Sequence, residues 1–589
     1  FSARLNGMWS LEMTERQNMA NKEASANNTL TETGNWRLNW QWTNTATYTK
    51  KIHEDHNITV VLGTEAIKQG VGRYMQGTRI DYIFESDPNT WTLDNGSSSN
   101  IGNSSRYQRK VTMFGLFGRA DYSYKGKYLA TFTIRRDASS KFGSKNRWGN
   151  FPSASLGWRM SDEKFMEPTR KWLDDFKLRA GYGTTGNSNI GSYNYAFQYG
   201  TGNYYMYPIT GSDSETSPGY VLSNLGDSDA KWETTKMFNI GFDLTALSNR
   251  LTAGFDFYVK NTSDLLVPAN WSALVGNASK PSINIGDMKN RGIDLSIGWR
   301  DKVGEFGYNI TANISRYKNE VTRLGSSDLF NDTRLSKVNI TTVGQPVGMF
   351  YGYQIDGIYQ NEQDVISSGV LPYGVATEND LVASAWVGRY KMKDVNNDGK
   401  IDADDRTIIG NPHPDLTGGF NISLTWRDFD LSTYMYYSIG NDLYKHYEYY
   451  TMFGNLQSNY SKDRLAKSWD PVNNPNGIYP LWTTTSTEGP EAGNESNSNY
   501  VQDGSYLRMQ TLTLGYSLPK KLLKKIGFEK IRVYGQISNV FTITGYDGLD
   551  PEVRSHTSFE NEYVSSDMNK GIDYGSYGMP RQFLMGVNV

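Results

Sequence analysis

The sequence has no cysteine, which excludes disulfides, thiolate metal centres and cysteine nucleophiles. It has no apolar run approaching the roughly eighteen residues that a spanning helix needs. Only 37% of its 589 residues are hydrophobic, and the mean hydropathy is -0.60. A chain of this kind crosses a membrane only as a closed barrel, where alternation halves the apparent hydrophobicity. Histidine is scarce, at five residues. Neither a nucleophile elbow nor a marked carboxylate pair is present, so nothing identifies an enzyme. The net charge of -2 leaves no basic footprint for nucleic acid. The opening Phe1-Ser2-Ala3-Arg4 has no charged n-region or apolar h-region. It reads as the inside of a strand, so the chain is expected to be a fragment with any targeting signal upstream.

What is plentiful is tyrosine, at 40 residues, and glycine, at 58, with aromatics at 13%. Both suit girdled, strongly curved strands. Phe238–Lys260 shows how they are used. Phe238, Ile240, Phe242 and Leu244 alternate with Asn239, Gly241 and Asp243. After Leu247-Ser248-Asn249, Leu251, Ala253, Phe255, Phe257 and Val259 alternate with Thr252, Gly254, Asp256, Tyr258 and Lys260. A period of two is a β-strand with two unlike environments. About ten residues per strand is the length of a transmembrane hairpin, although one soluble sandwich hairpin gives the same alternation.

The pattern recurs near 3–12, 35–49, 57–68, 111–124, 127–137, 151–160, 174–183, 232–245, 250–260, 288–300, 306–317, 416–427, 429–440, 504–517, 529–542 and 581–589. That predicts about sixteen antiparallel strands. Short or modest links at 50–56, 125–126, 161–173, 247–249, 301–305, 428 and 518–528 alternate with long ones at 13–34, 69–110, 184–231, 261–287, 318–415, 441–503 and 543–580. The stretch 138–150 is a weak member of the long set. Short periplasmic turns alternating with long extracellular loops are the topology of a bacterial outer-membrane barrel. The expected fold is therefore an all-β transmembrane barrel in the outer membrane. The long loops are rich in Asn, Ser, Thr, Gly and Tyr, as at Asn95–Asn100 and Asn494–Tyr500. They exceed what a simple pore needs, and their groups suit sugars and peptides.

Within the loop 318–415, Asp394–Asp405 matches the calcium-loop spacing, with oxygens at positions one, three and five, Gly399 at six and a carboxylate at twelve. Asp394, Asn396 and Asp398 would ligate Ca2+ or Mg2+ through side chains, Lys400 through its carbonyl and Asp402 through water. Asp405 would close the site in place of the usual Glu. An Asx-rich turn without metal fits the same residues. His53-Glu54-Asp55-His56 pairs two imidazoles in a turn without a third ligand. Lys520–Lys525 reads as one basic helical turn at a membrane rim, or as a solvated turn.

Several segments resemble the C-terminal barrel of SusC/RagA-type TonB-dependent transporters. They include Trp232-Glu233-Thr234-Thr235, Lys260–Leu266, Asn284–Gly292, Arg135–Gly143, the acidic loop leading into Asp405–Pro412, Gly504–Arg508 and Ser538–Phe541. They run through nearly the whole chain in the family's order. The resemblance implies a barrel of about 22 strands, of which residues 1–589 are the C-terminal portion, with a plug domain, the first strands and a TonB box upstream. It implies active import of an oligosaccharide or peptide, with a SusD-like surface lipoprotein as lid and TonB as energy source. It implies no catalytic residues and no organic cofactor. A passive sixteen-stranded porin, and a surface adhesin or enzyme whose loops do the work, are the rival readings.

Overall fold

The computed structural model describes residues 2–14, 29–80, 87–97, 102–107, 110–208, 216–268, 278–279, 281–325, 328–331, 337–453, 459–482, 490–553, 566–575 and 577–589. Among the described residues, sixteen strands of one sheet follow the sequence, apart from a separate hairpin of Gln198–Pro208 and Thr216–Asn224. The first eight are β1 (Ser2–Thr14), β2 (Thr29–Ile52), β3 (His56–Ile80), β4 (Val111–Tyr124), β5 (Tyr128–Ser139), β6 (Trp148–Arg159), β7 (Leu173–Asn187) and β8 (Glu233–Ala246). The rest are β9 (Leu251–Pro268), β10 (Ser282–Val303), β11 (Phe306–Arg323), β12 (Leu416–Trp426), β13 (Phe429–Ile439), β14 (Tyr506–Ser517), β15 (Arg532–Thr544) and β16 (Gln582–Asn588). Each pairs antiparallel with its neighbour in sequence, so they form one meandering sheet. A further strand, Gly102–Tyr107, pairs with the far end of β3. β1 and β16 do not pair with each other among the described residues, which make an arc of wall.

In such a meander every second connection lies at the same end. The turns 53–55, 125–127, 247–250, 304–305 and 427–428 gather there with the helical links 160–172 and 518–531. Tight reversals need left-handed backbone. Lys125 and Gly126 supply φ of 52° and 70°, and Leu247, Ser248 and Asn249 lie at 59°, 58° and 63°. The stretches 188–232, 324–415, 440–505 and 545–581 gather at the other end. The link 140–147 is the brief exception among them. The middles of the loops expected at 13–34 and 261–287, and residues 98–100, lie outside the described residues.

The strands outrun their alternation toward the loop end. β3 continues to Ile80, where a loop was expected from residue 69, and β10 begins at Ser282 rather than near 288. Beyond the membrane both faces are wet, so the ladder persists without an apolar row to mark it.

The two faces of the sheet are unlike. Phe132, Ile134, Leu156, Ile240, Ile297, Leu514 and Phe583 stand exposed on the outer side, and Met585 is 87% exposed. On the inner side Arg135 donates to Asp137 at 2.8 Å and to Glu65 at 2.5 Å. Arg179 bridges Asp243 at 2.9 Å and Asp256 at 3.0 Å, and Arg532 donates to Asp430 at 2.8 Å. A soluble sheet would hide the apolar face against a second layer. Here it is bare, and the charges face a wet interior, which is the barrel's arrangement. Aromatic rings girdle the short-turn end, with Tyr124 on Tyr128 at 6.2 Å, Trp158 near Phe165 at 6.3 Å and Phe429 on Tyr516 at 4.7 Å. The basic stretch there is α1 (Lys520–Ile526), closed by Gly527 at φ 77°. No helix among the described residues is long and apolar enough to cross a membrane.

The long loops fold onto one another. Val338, Phe350, Tyr390, Tyr444, Phe453, Trp469, Tyr479, Tyr500 and Ile572, drawn from three separate loops, form a buried apolar core. Tyr444 stacks on Tyr500 at 5.2 Å. A small sheet of Leu329–Asn331, Asn339–Thr341, Met349–Gly352 and Thr407–Gly410 braces this layer. At Gly352 a Cβ would come within 2.3 Å of the Ser496 carbonyl oxygen, so only glycine lets the two segments touch. Arg464 is buried in the layer and donates to the carbonyls of Met452 at 2.9 Å and Pro480 at 2.8 Å. The loops thus form a packed layer at one rim.

Candidate functional site

Where this layer meets the inner wall, the strands turn tyrosines inward. On β13, Phe429, Leu431, Met435 and Tyr437 take the outer side, which leaves Asp430, Tyr434, Tyr436 and Ser438 inside. Tyr317 of β11 and Tyr506 of β14 share that side. With Thr417, Gln510, Pro414, Pro551, Glu552 and Lys570 they line a cavity of about 600 Å³. A second space of about 360 Å³ shares Thr417, Tyr434 and Tyr436 and runs along the wall to Asp256, Asp294 and Ser315.

Hydrogen bonds, some of them from His413 and Arg508 outside the lining, fix the cavity's polar groups. His413 has Nε2 at 2.7 Å from the carbonyl oxygen of Val347 and Nδ1 at 3.1 Å from the Tyr317 hydroxyl. The carbonyl takes the Nε2 proton, so Nδ1 accepts from Tyr317 in this assignment. The Lys570 ammonium donates to the same hydroxyl at 3.3 Å. Arg508, 2% exposed, donates to Thr542 at 2.9 Å, Glu552 at 2.7 Å and Asp550 at 2.5 Å. It thereby holds the Glu552 carboxylate at the mouth. Burial would raise the Asp550 carboxyl, but the amides of Met579 and Glu552 and the Arg508 guanidinium hold it below the usual range. Rings, hydroxyls and one cation in a space of this size suit a polar solute with both apolar and hydrogen-bonding faces, such as a sugar or peptide.

The acidic loop lies in the same layer, away from this cavity's lining. Asn397 and Gly399 take φ of 59° and 85°, which folds the backbone round Asp394. The Asp394 carboxylate accepts from the amides of Asn397 at 2.6 Å and Gly399 at 2.8 Å. Asn396 accepts from Asp398 at 2.9 Å, and Asp398 from Lys400 at 3.2 Å. Asp402 caps Asp404 at 2.8 Å and receives the Lys400 ammonium at 2.6 Å. Asp405, fully buried, spans the loop by accepting from Val395 at 2.9 Å and Asp402 at 2.8 Å. The candidate ligands are therefore close in space but turned to the backbone. No three His, Asp or Glu side chains converge as a metal site among the described residues. As placed, the residues fit a hydrogen-bonded Asx-rich turn better than a Ca2+ or Mg2+ cage of six or more oxygens.

The imidazoles of the 53–56 turn part company. His53 occupies the turn at φ 45°, and His56 Nδ1 lies 2.8 Å from the Tyr122 hydroxyl. The tyrosine cavity went unread in the sequence. Its signal was present in Tyr434 and Tyr436, aromatic rings at the wet positions of an otherwise regular strand.

A model of the family "TonB dependent receptor-like, beta-barrel" matches residues 1–399. The chain is 34% identical over 495 residues to TonB-dependent receptor P3 of Formosa agariphila, covering 82% of this chain and 46% of that protein. It is 32% identical over 504 residues to TonB-dependent receptor SusC of Bacteroides thetaiotaomicron, covering 82% and 44%. The chain thus spans about half the length of the relatives it matches. In fold it is similar to the RagAB peptide transporter, with a TM-score of 0.77 at 24% identity over 99% of this chain and 58% of that one. With the exposed apolar face and the one-sided loops, these matches place the strands in the outer membrane. The chain belongs to the TonB-dependent receptor-like β-barrel family.

Proposed function

We propose that the chain forms wall and loops of an importer that takes an oligosaccharide or peptide across the outer membrane, driven by TonB and closed by a SusD-like surface lipoprotein. The observation that carries this reading is the tyrosine-lined cavity at the junction of loop layer and inner wall. A solute held there faces the outside through the loops and the interior along the wall. The loop layer has its own apolar core, so it offers a firm seat for a lid. No nucleotide is available at the outer membrane, so accumulation needs energy from elsewhere. The likeness to relatives named TonB-dependent receptors supports the TonB drive, and a fold shared with a peptide transporter is in keeping with a peptide as solute.

Uptake of labelled oligosaccharide and peptide mixtures by cells expressing the full-length protein tests this. Uptake is expected to stop without TonB, and a lipoprotein is expected to copurify with the barrel. The double variant Tyr434→Ala/Tyr436→Ala is expected to weaken solute binding by about tenfold or more, the effect of losing two anchoring rings. Uptake at an unchanged rate in cells lacking TonB would replace this reading with the passive porin.

A further inference from the structure

We propose that the outer face of β9–β11, at the loop end, is a binding site for the phosphates of an anionic lipid in the outer leaflet. The inference rests on the outer-membrane placement and not on the transport reading. Phe257 and Ile293 lie directly opposite each other on the outer side, and the next residue across is Arg316. One step toward the loops, Arg291 lies directly opposite Lys318. All three cations are exposed. They share with Phe257, Ile293 and Asp415 the lining of a depression of about 420 Å³.

Like charges directly opposite on a sheet repel. Among the described residues no ion pair or hydrogen bond answers Arg291, Arg316 or Lys318. The next pair toward the loops, Lys289 opposite Glu320, joins unlike charges instead. Among the described residues Asp415 is the one carboxylate in the lining, against three cations. On the wet inner face Arg135, Arg179 and Arg532 are each matched by carboxylates. The unmatched cluster is on the other side, continuous with the lipid-facing apolar rows and just beyond them. A soluble partner does not reach that side below the loops, whereas a lipid does: its chains lie on Phe257 and Ile293 while its phosphates meet the cations. Arginine forks and a lysine point charge are the side chains suited to phosphate oxygens.

The test uses full-length protein in nanodiscs of phosphatidylcholine with or without bis-phosphorylated lipid A. The lipid A retained after reisolation is measured by phosphorus analysis and mass spectrometry. Wild type is expected to enrich lipid A over phosphatidylcholine. The variant Arg291→Gln/Arg316→Gln/Lys318→Gln is expected to lose that enrichment by about fivefold per cation, on the order of a hundredfold in all. Lys50→Gln/Lys51→Gln, at the short-turn end, is expected to retain it. Should the triple variant not fold, Arg316→Gln alone is expected to lose about fivefold while Arg316→Lys keeps most of the enrichment. Equal retention by wild type and the folded variants would overturn the proposal. So would displacement of lipid A by millimolar inorganic phosphate, which would mark a site for free anions.

Discussion

Glu491 is buried in the loop layer, where its carboxylate accepts from the Tyr373 amide at 2.6 Å. Burial pushes its pKa up to about 7. The folded value exceeds the unfolded one of about 4.3, so the folded state holds the proton more tightly. Its contribution to stability is therefore full below the unfolded value, declines as pH rises toward about 7 and is flat beyond. His446 acts in the opposite sense, since burial pushes its pKa down to about 4. Its contribution is present above about 6.5 and is lost as pH falls through the folded value. Comparing Glu491→Gln with wild type at each pH cancels the histidine. The variant is expected to be more stable at pH 8 by roughly 3 kcal/mol, and equal at pH 4, in thermal melts of the detergent-solubilised protein. A gap that does not change with pH would show that the carboxyl ionises normally. Asp405 gives a second test at this scale. Its two backbone hydrogen bonds tie the acidic loop together, so Asp405→Ala is expected to cost about 2–4 kcal/mol, leaving two buried amides unpaired. A chelator is expected to leave the wild-type melt unchanged, because the candidate ligands are turned to the backbone. A melting point that rises on adding calcium after chelation would show that the loop rearranges round an ion. The spacing of Asp394–Asp405 was legible in the sequence, but which oxygens the backbone amides claim depends on the φ values of Asn397 and Gly399, which no spacing states.

Among elements, the strands were legible because a bilayer imposes one rule along their whole lipid-facing length. Phe238–Lys260 is split by the turn where expected, and its apolar residues face out in both strands. The strand ends were not legible, since the rule lapses above the bilayer while the hydrogen bonds go on. The loop layer was hidden for a different reason. Its core is assembled from residues such as Phe350, Tyr444, Tyr500 and Ile572, which are far apart in sequence and have no period. This core predicts that the loops unfold apart from the wall. Tyr500 is buried, stacks on Tyr444 and donates to the Gly493 carbonyl at 2.7 Å. Tyr500→Ala is expected to destabilise the layer by about 3–5 kcal/mol, the usual cost of removing a buried aromatic. The readout is limited proteolysis, with cuts appearing in 440–505 while the barrel keeps its heat-modifiable mobility on gels. Loss of that mobility as well would show that wall and loops fold as one unit.

For the whole molecule, the sequence told the two sides of the wall apart but not what the inner side assembles. Tyr317, Tyr434 and Tyr506 come from three strands, and only the register of β11 to β14 brings them to one cavity. The lipid side, in contrast, is a property of every strand and can be tested at one neighbouring pair. Ile310 of β11 is exposed on the outer face, and Thr311 beside it points inward, opposite Gly298 and Asn421. An arginine toward lipid costs about 2–4 kcal/mol near the bilayer centre, whereas one toward the lumen meets water. In urea titrations of protein folded into phosphatidylcholine vesicles, followed by tryptophan fluorescence, Ile310→Arg is expected to lose about that amount. Thr311→Arg is expected to lose less than about 1 kcal/mol. In detergent micelles, which deform round a charge more readily than a bilayer, the difference is expected to shrink. Equal losses at the two positions in vesicles would mean that the outer face does not meet hydrocarbon, and the bare apolar rows would then need another covering.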